Sequence, residues 1–154
     1  MTRDLKPRSL GEPDLLGLSP EQFEELVFLL AHAEDDRVVP IRAKDHGLDA
    51  RLPTDGGRAT DRGWQAKRFT GDIKFDQCQA SVSRAMAFWR PRQITFCFPR
   101  ELSAKEQDDF KKQLIERFPQ VRLDFWGAKE IKRRMRDTEE GRRATRYLFG
   151  DPRA

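Results

Sequence analysis

The chain is expected to fold as an α/β domain, a mixed central sheet flanked by helices, and three features carry that expectation. Helical and strand periodicities alternate along its length. A capped amphipathic segment starts at Ser19. The run Gln93–Phe98 (QITFCF) has the continuous apolar character of a strand inside a sheet. At 154 residues the chain can bury one core and falls short of two comfortable domains.

Residues 1–18 mix Pro, Gly and charges without a period and read as a flexible lead-in. Ser19 is a natural N-cap, Pro20 suits the first helical position, and Gln22 can complete a capping box. Phe23, Leu26, Val27 and Leu30 then share one face of a helix running to about His32. Arg37–Arg42 looks like a strand whose Pro40 marks an edge or bulge. Gly47–Leu52 alternates, with Leu48, Ala50 and Leu52 on one face and Asp49 and Arg51 on the other. After a Thr54–Gly57 turn, Trp64–Phe69 forms a third strand returning antiparallel to the second.

A helix over roughly Phe75–Trp89 would bury Cys78, Val82, Ala85, Met86 and Trp89. Gln93–Phe98 follows at the sheet centre. Ser103 caps a helix to about Phe118 with Phe110, Leu114 and Ile115 inward. Val121–Trp126 is the last strand, with Val121, Leu123 and Phe125 on one face. Lys129–Arg136 and Glu139–Phe149 are two closing helices. Trp64, Trp89 and Trp126 each sit in or beside an apolar pattern and are expected in the core.

No stretch approaches the roughly 18 apolar residues of a membrane span, and no apolar signal core opens the chain, so a cytoplasmic protein is expected. Cys78 and Cys97 lack metal-ligand spacing and read as free thiols. The net charge of +4 is unevenly spread. Residues 1–40 balance at −5, residues 41–100 at +6 and residues 101–154 at +3. The positive excess suits an anionic partner such as a phosphate backbone.

Chemistry concentrates in that basic middle section. Gln65 and Lys67 are two apart on one strand and would project from the same face. Pairing that strand with the preceding one brings Asp49 beside them. The Asp49 carboxylate, the Gln65 amide oxygen and the Ala66 carbonyl would offer hard oxygen ligands to Mg²⁺. Lys67 could neutralise phosphate and orient water. Each residue alone is ordinary; the ordered set gives the signal.

The pattern Phe23-Glu24-Glu25-Leu26, Asp45-His46-Gly47-Leu48-Asp49 and Trp64-Gln65-Ala66-Lys67 resembles the Mrr-type branch of the PD-(D/E)xK restriction-endonuclease-like superfamily. The likeness spans about residues 19–136, followed by a C-terminal helical extension over 137–154. It implies the αβββαβ core of that superfamily and a metal-dependent endonuclease acting on double-stranded DNA, with defence against foreign DNA among the roles it suggests. Carried over, Asp49 is the metal-binding aspartate, Gln65 replaces the usual second acid, Lys67 is the catalytic lysine and Glu24 is the helix carboxylate. Mg²⁺ is the implied cofactor, with Mn²⁺ able to substitute. His46 stands where many relatives carry a second glycine.

His46, Arg68 and Lys74 are the expected nucleic-acid contacts, with Arg84, Arg90, Arg92 and the basic run Lys129–Arg136 as further candidates. The resemblance leaves room for a homodimer and for a larger sensor or ATPase partner joined beyond Thr138. Only one of the adjacent Glu24 and Glu25 is expected to face the site. His32 is expected to cap the end of its helix. The alternatives are a nucleic-acid-binding module of this fold without catalysis, and a protein-interaction domain.

Overall fold

A computed structural model describes residues 14–41, 47–54, 59–69 and 73–150. After a short 3-10 turn at Leu15–Gly17 come helix α1 (Pro20–Glu34), strands β1 (Val39–Pro40), β2 (Ala50–Pro53) and β3 (Thr60–Ala66), and helix α2 (Phe75–Phe88). Strand β4 (Gln93–Cys97), helix α3 (Ala104–Arg117), strand β5 (Arg122–Trp126) and helices α4 (Ala128–Asp137) and α5 (Glu139–Phe149) complete the chain. The five strands lie side by side in chain order. β1, β2 and β3 pair antiparallel, and β3, β4 and β5 pair parallel. The architecture is thus an α/β fold with a mixed five-stranded sheet flanked by helices.

Local chemistry explains the helix starts. Ser19 Oγ accepts from the Gln22 amide at 3.1 Å while Gln22 Oε1 accepts from the Ser19 amide at 2.9 Å, closing the capping box ahead of Pro20. Ser103 and Glu106 build the same box at α3. Among the described residues no helix is long and apolar enough to cross a membrane.

Two apolar clusters fill the two sides of the sheet. On one side Phe23, Leu26, Val27 and Leu30 of α1 pack on Ala50, Leu52, Trp64, Ala66, Cys97 and Trp126, joined by Ile131, Met135 and Ala144 of α4 and α5. On the other, Cys78, Val82 and Ala85 of α2 and Phe110 and Leu114 of α3 cover Ile94, Phe96 and Phe98. The progressive order β3-β4-β5 places both crossover helices on one face, as two crossovers of the same hand require. Trp64 and Trp126 are buried at 6.4 Å centroid separation, whereas Trp89 is only partly buried beneath the Arg51 guanidinium.

Several expectations are corrected. The third strand spans Thr60–Ala66, not Trp64–Phe69, because β2 pairs with its polar first half: Pro53 with Thr60 and Leu52 with Arg62. The β2–β3 connection is correspondingly short. Leu48 does not share a face with Ala50 and Leu52; it packs in the α2–α3 cluster while they pack under α1. Regular pairing starts only at Ala50, and the Asp49 amide bonds the Trp64 carbonyl ahead of it, so alternation does not extend back to Leu48. Ile115 is 51% exposed rather than inward, since it lies five residues from Phe110 and so off the buried stripe of α3. His32 leaves the helix carbonyls and meets Glu140 of α5, Nδ1 to Oε2, at 2.9 Å. α5 packs on α1 and α4, with Ala144 inside the first cluster.

Candidate functional site

Asp49 immediately precedes β2, and its amide donates to the Trp64 carbonyl at 2.8 Å, one residue before Gln65. Its Oδ2 accepts a 2.7 Å hydrogen bond from the Ala66 amide, the peptide between Gln65 and Lys67. The sheet thereby fixes one carboxylate against the segment carrying both other candidates. Gly47 makes this entry possible. Its φ of +82° is a conformation that L side chains rarely adopt, and it packs directly on α2.

Asp49 also borders a cleft of about 290 Å³ together with Glu21, Glu24, Glu25, Phe28, Pro40 and Ile41. Glu24 is therefore brought to the same space as Asp49. So is Glu25, contrary to the expectation that only one of the pair would face it. Neighbouring positions on a helix differ by about 100° in direction, narrow enough for both to line one broad cleft. These carboxylates surround the cleft without converging. Among the described residues no group of three or more His, Cys, Asp and Glu side chains is arranged to hold a metal ion.

Gln65 and Lys67 reach the opposite side of the sheet from Trp64 and Ala66. Gln65 pairs with Phe96 of the second cluster, whereas Ala66 pairs with Cys97 of the first. Gln65 Nε2 donates to the Ala66 carbonyl at 3.3 Å. Its Oε1 is buried, and no described residue donates to it. A buried carbonyl oxygen left in this way is costly unless something completes its shell. Lys67 falls one residue past β3, yet its amide still bonds the Cys97 carbonyl at 2.8 Å, so the sheet sets its position.

The Lys67 ammonium donates to Ser81 Oγ of α2 at 2.6 Å. Burial holds its pKa below the ordinary lysine value, opposed by the Asp49 carboxylate and reinforced by the Arg84 guanidinium. Asp49 thus acts on Lys67 through space, while the hydrogen bond goes to Ser81. Burial in the same region pushes the Cys78 thiol up to about 12, so it is neutral at physiological pH.

The remaining expected residues divide. Arg68 binds the 3-10 turn, Nε to the Leu18 carbonyl and Nη2 to the Leu16 carbonyl, both at 2.6 Å. Its guanidinium is engaged in holding the chain ahead of α1. Lys74 is exposed at the start of α2. His46 lies outside the described residues. Ser81 was not singled out from sequence. It stands three residues after Cys78, on the inward stripe with Val82 and Ala85, and the only signal was a hydroxyl at a position the pattern assigns to the core. Compared with family models, curated proteins and solved structures, the chain finds no match.

Proposed function

We propose that the chain is a metal-dependent nuclease of the Mrr-type, restriction-endonuclease-like class, hydrolysing phosphodiester bonds in double-stranded DNA. The observation carrying this reading is the hydrogen bond from the Ala66 amide to Asp49, which ties an acid to the segment bearing Gln65 and Lys67. The element order α1-β1-β2-β3-α2-β4 agrees with the αβββαβ core that the motifs imply.

The residues present fit a hard divalent cation such as Mg²⁺. Gln65 Oε1 is a buried oxygen in want of a partner, Asp49 brings a carboxylate to the Ala66 amide next along the chain, and the Ala66 carbonyl adds a third oxygen. Glu24 would contribute from the cleft, directly or through water. When bound, the ion supplies Lewis-acid stabilisation of charge developing on the phosphoryl oxygens. Lys67 brings a positive charge into a partly buried site, where its attraction for a phosphate is stronger than at an open surface.

Supercoiled plasmid incubated with Mg²⁺ or Mn²⁺ tests the proposal. Wild type nicks or linearises it, and Asp49→Ala and Lys67→Ala each lower the rate by about a hundredfold or more. A second reading, a DNA-binding module without catalysis, draws on two observations. The carboxylates of the cleft do not converge, and the Lys67 ammonium is bonded to Ser81. Salt-dependent DNA binding with no nicking under any metal decides for it.

A further inference from the structure

Lys67 is a long, flexible side chain placed beyond the end of β3, where nothing in its own strand fixes the position of its ammonium. One side chain of α2 accepts a hydrogen bond from it. Ser81 is 1% exposed, so water competes little for the hydroxyl that receives the bond. The same serine is also where the Asp49-bearing segment meets α2. A Cβ on Gly47 would stand 2.3 Å from the Ser81 carbonyl oxygen, so the turn leading to Asp49 lies directly on this residue. Arg84, one helical turn on, points Nη2 at the Ser81 hydroxyl from 3.5 Å. Ser81 therefore touches both segments of the candidate site, Lys67 through its hydroxyl and the approach to Asp49 through its backbone.

We propose that Ser81 is a positioning residue that holds the Lys67 ammonium in register with the Asp49 segment, a role that rests on the nuclease reading for its catalytic consequence. It touches neither substrate nor metal. Its hydroxyl replaces the rotamer freedom of Lys67 with one bonded geometry, so that the charge is in place before the phosphodiester arrives. A helix surface that served only to pack would carry alanine here equally well.

Two measurements separate the inference from the reading beneath it. With plasmid as substrate, Ser81→Ala is expected to lower kcat roughly tenfold at nearly unchanged KM, the loss expected for a hydrogen bond to a charged group. Ser81→Thr, which keeps the hydroxyl, is expected to recover most of that loss, and thermal unfolding checks that both variants fold. A Ser81→Ala enzyme with wild-type kcat overturns the proposal. If wild type cleaves nothing, the nuclease reading fails and the bond is judged by itself, through the ¹⁵N–¹H resonance of the Lys67 side-chain ammonium. A resonance protected from solvent exchange in wild type and lost to fast exchange in Ser81→Ala supports the holding role. Equal protection in both proteins, or none in wild type, overturns it.

Discussion

Gly47 lies so close to Ser81 that a Cβ built on it would fall 2.3 Å from the serine carbonyl oxygen and 2.7 Å from the Ala85 amide nitrogen. Both atoms are backbone of α2 and cannot swing aside as a side-chain tip would. The same glycine has φ +82°, which costs an L residue about 1–2 kcal/mol even in open space. Gly47→Ala is therefore expected to destabilise the fold by more than 2 kcal/mol on the order-of-magnitude scale of strain plus overpacking. Urea unfolding checks this: the midpoint should fall at an unchanged slope. A midpoint within error of wild type would show that the turn does not seat on α2 as described.

A second prediction concerns Glu34, the last residue of α1. Its carboxylate accepts from Arg134 of α4 at 2.7 Å and from Arg62 of β3 at 3.0 Å. Each guanidinium lies over an indole, Arg134 at 4.0 Å from the Trp126 centroid and Arg62 at 4.7 Å from that of Trp64. Arg134 is further held by Glu130 at 2.7 Å. The carboxylate thus joins a helix end, a strand and a second helix over a pair of buried tryptophans. Glu34→Ala should cost about 1–2 kcal/mol, more than an ordinary exposed pair, because two half-buried cations lose one shared partner. A double-mutant cycle with Arg134→Ala should give a coupling of at least about 0.5 kcal/mol. Strict additivity would reduce the contact to a surface ion pair.

The pH dependence follows from the α3 capping box. Arg100 beside Glu106 and the Ser103 amide behind it hold that carboxyl down to about 2 from an ordinary 4.5. A folded-state pKa below the unfolded one means that the unfolded chain binds the proton first. The contribution to stability is complete above pH 4.5 and is lost as pH falls toward 2. Because the side chain is partly exposed, solvent screening keeps the effect small. Glu106→Gln should be less stable than wild type at pH 7, and the gap should close by pH 2. Parallel unfolding curves at the two pH values provide the measurement, and a gap that persists in acid would mean that the ionised carboxylate is not what stabilises the box.

Which parts of this molecule were legible in its sequence depended on how local their causes are. The starts of α1 and α3 are written in four residues each, and Ser19–Gln22 and Ser103–Glu106 form the boxes their spacing implies. Pro40 marked an edge, and β1 lies at the sheet edge. The errors fall where a distant element decides. Thr60-Asp61-Arg62 looks too polar for a strand until Pro53 and Leu52 pair with it and Glu34 reaches Arg62. His32 meets Glu140, 108 positions away, which no local pattern foretells. At the candidate site the meeting of the Asp49 segment with the strand of Gln65 was readable from two neighbouring strands. The bond from Lys67 to Ser81 needed the packing of α2 on the sheet, and a serine on an apolar stripe does not announce it.

The last prediction separates ion binding from cleavage. Asp49 has two tasks, since its carboxylate both accepts from the Ala66 amide and is the only charged ligand proposed from the strands. Asp49→Asn keeps an acceptor for that amide while removing the charge; Asp49→Ala removes both. Saturating Mn²⁺ should raise the thermal midpoint of wild type, by mass action on the folded state, with about 2.7 kcal/mol available at a hundred times the dissociation constant. Asp49→Asn should unfold near the wild-type temperature without metal, yet lose most of the metal-induced rise. Asp49→Ala should start lower as well, because the Ala66 amide is left without its partner. Lys67→Met should keep or enlarge the rise, since it takes a cation away from the neighbourhood of the ion. A wild-type midpoint indifferent to Mn²⁺, or a rise that survives in Asp49→Asn, would mean that this carboxylate does not hold a metal.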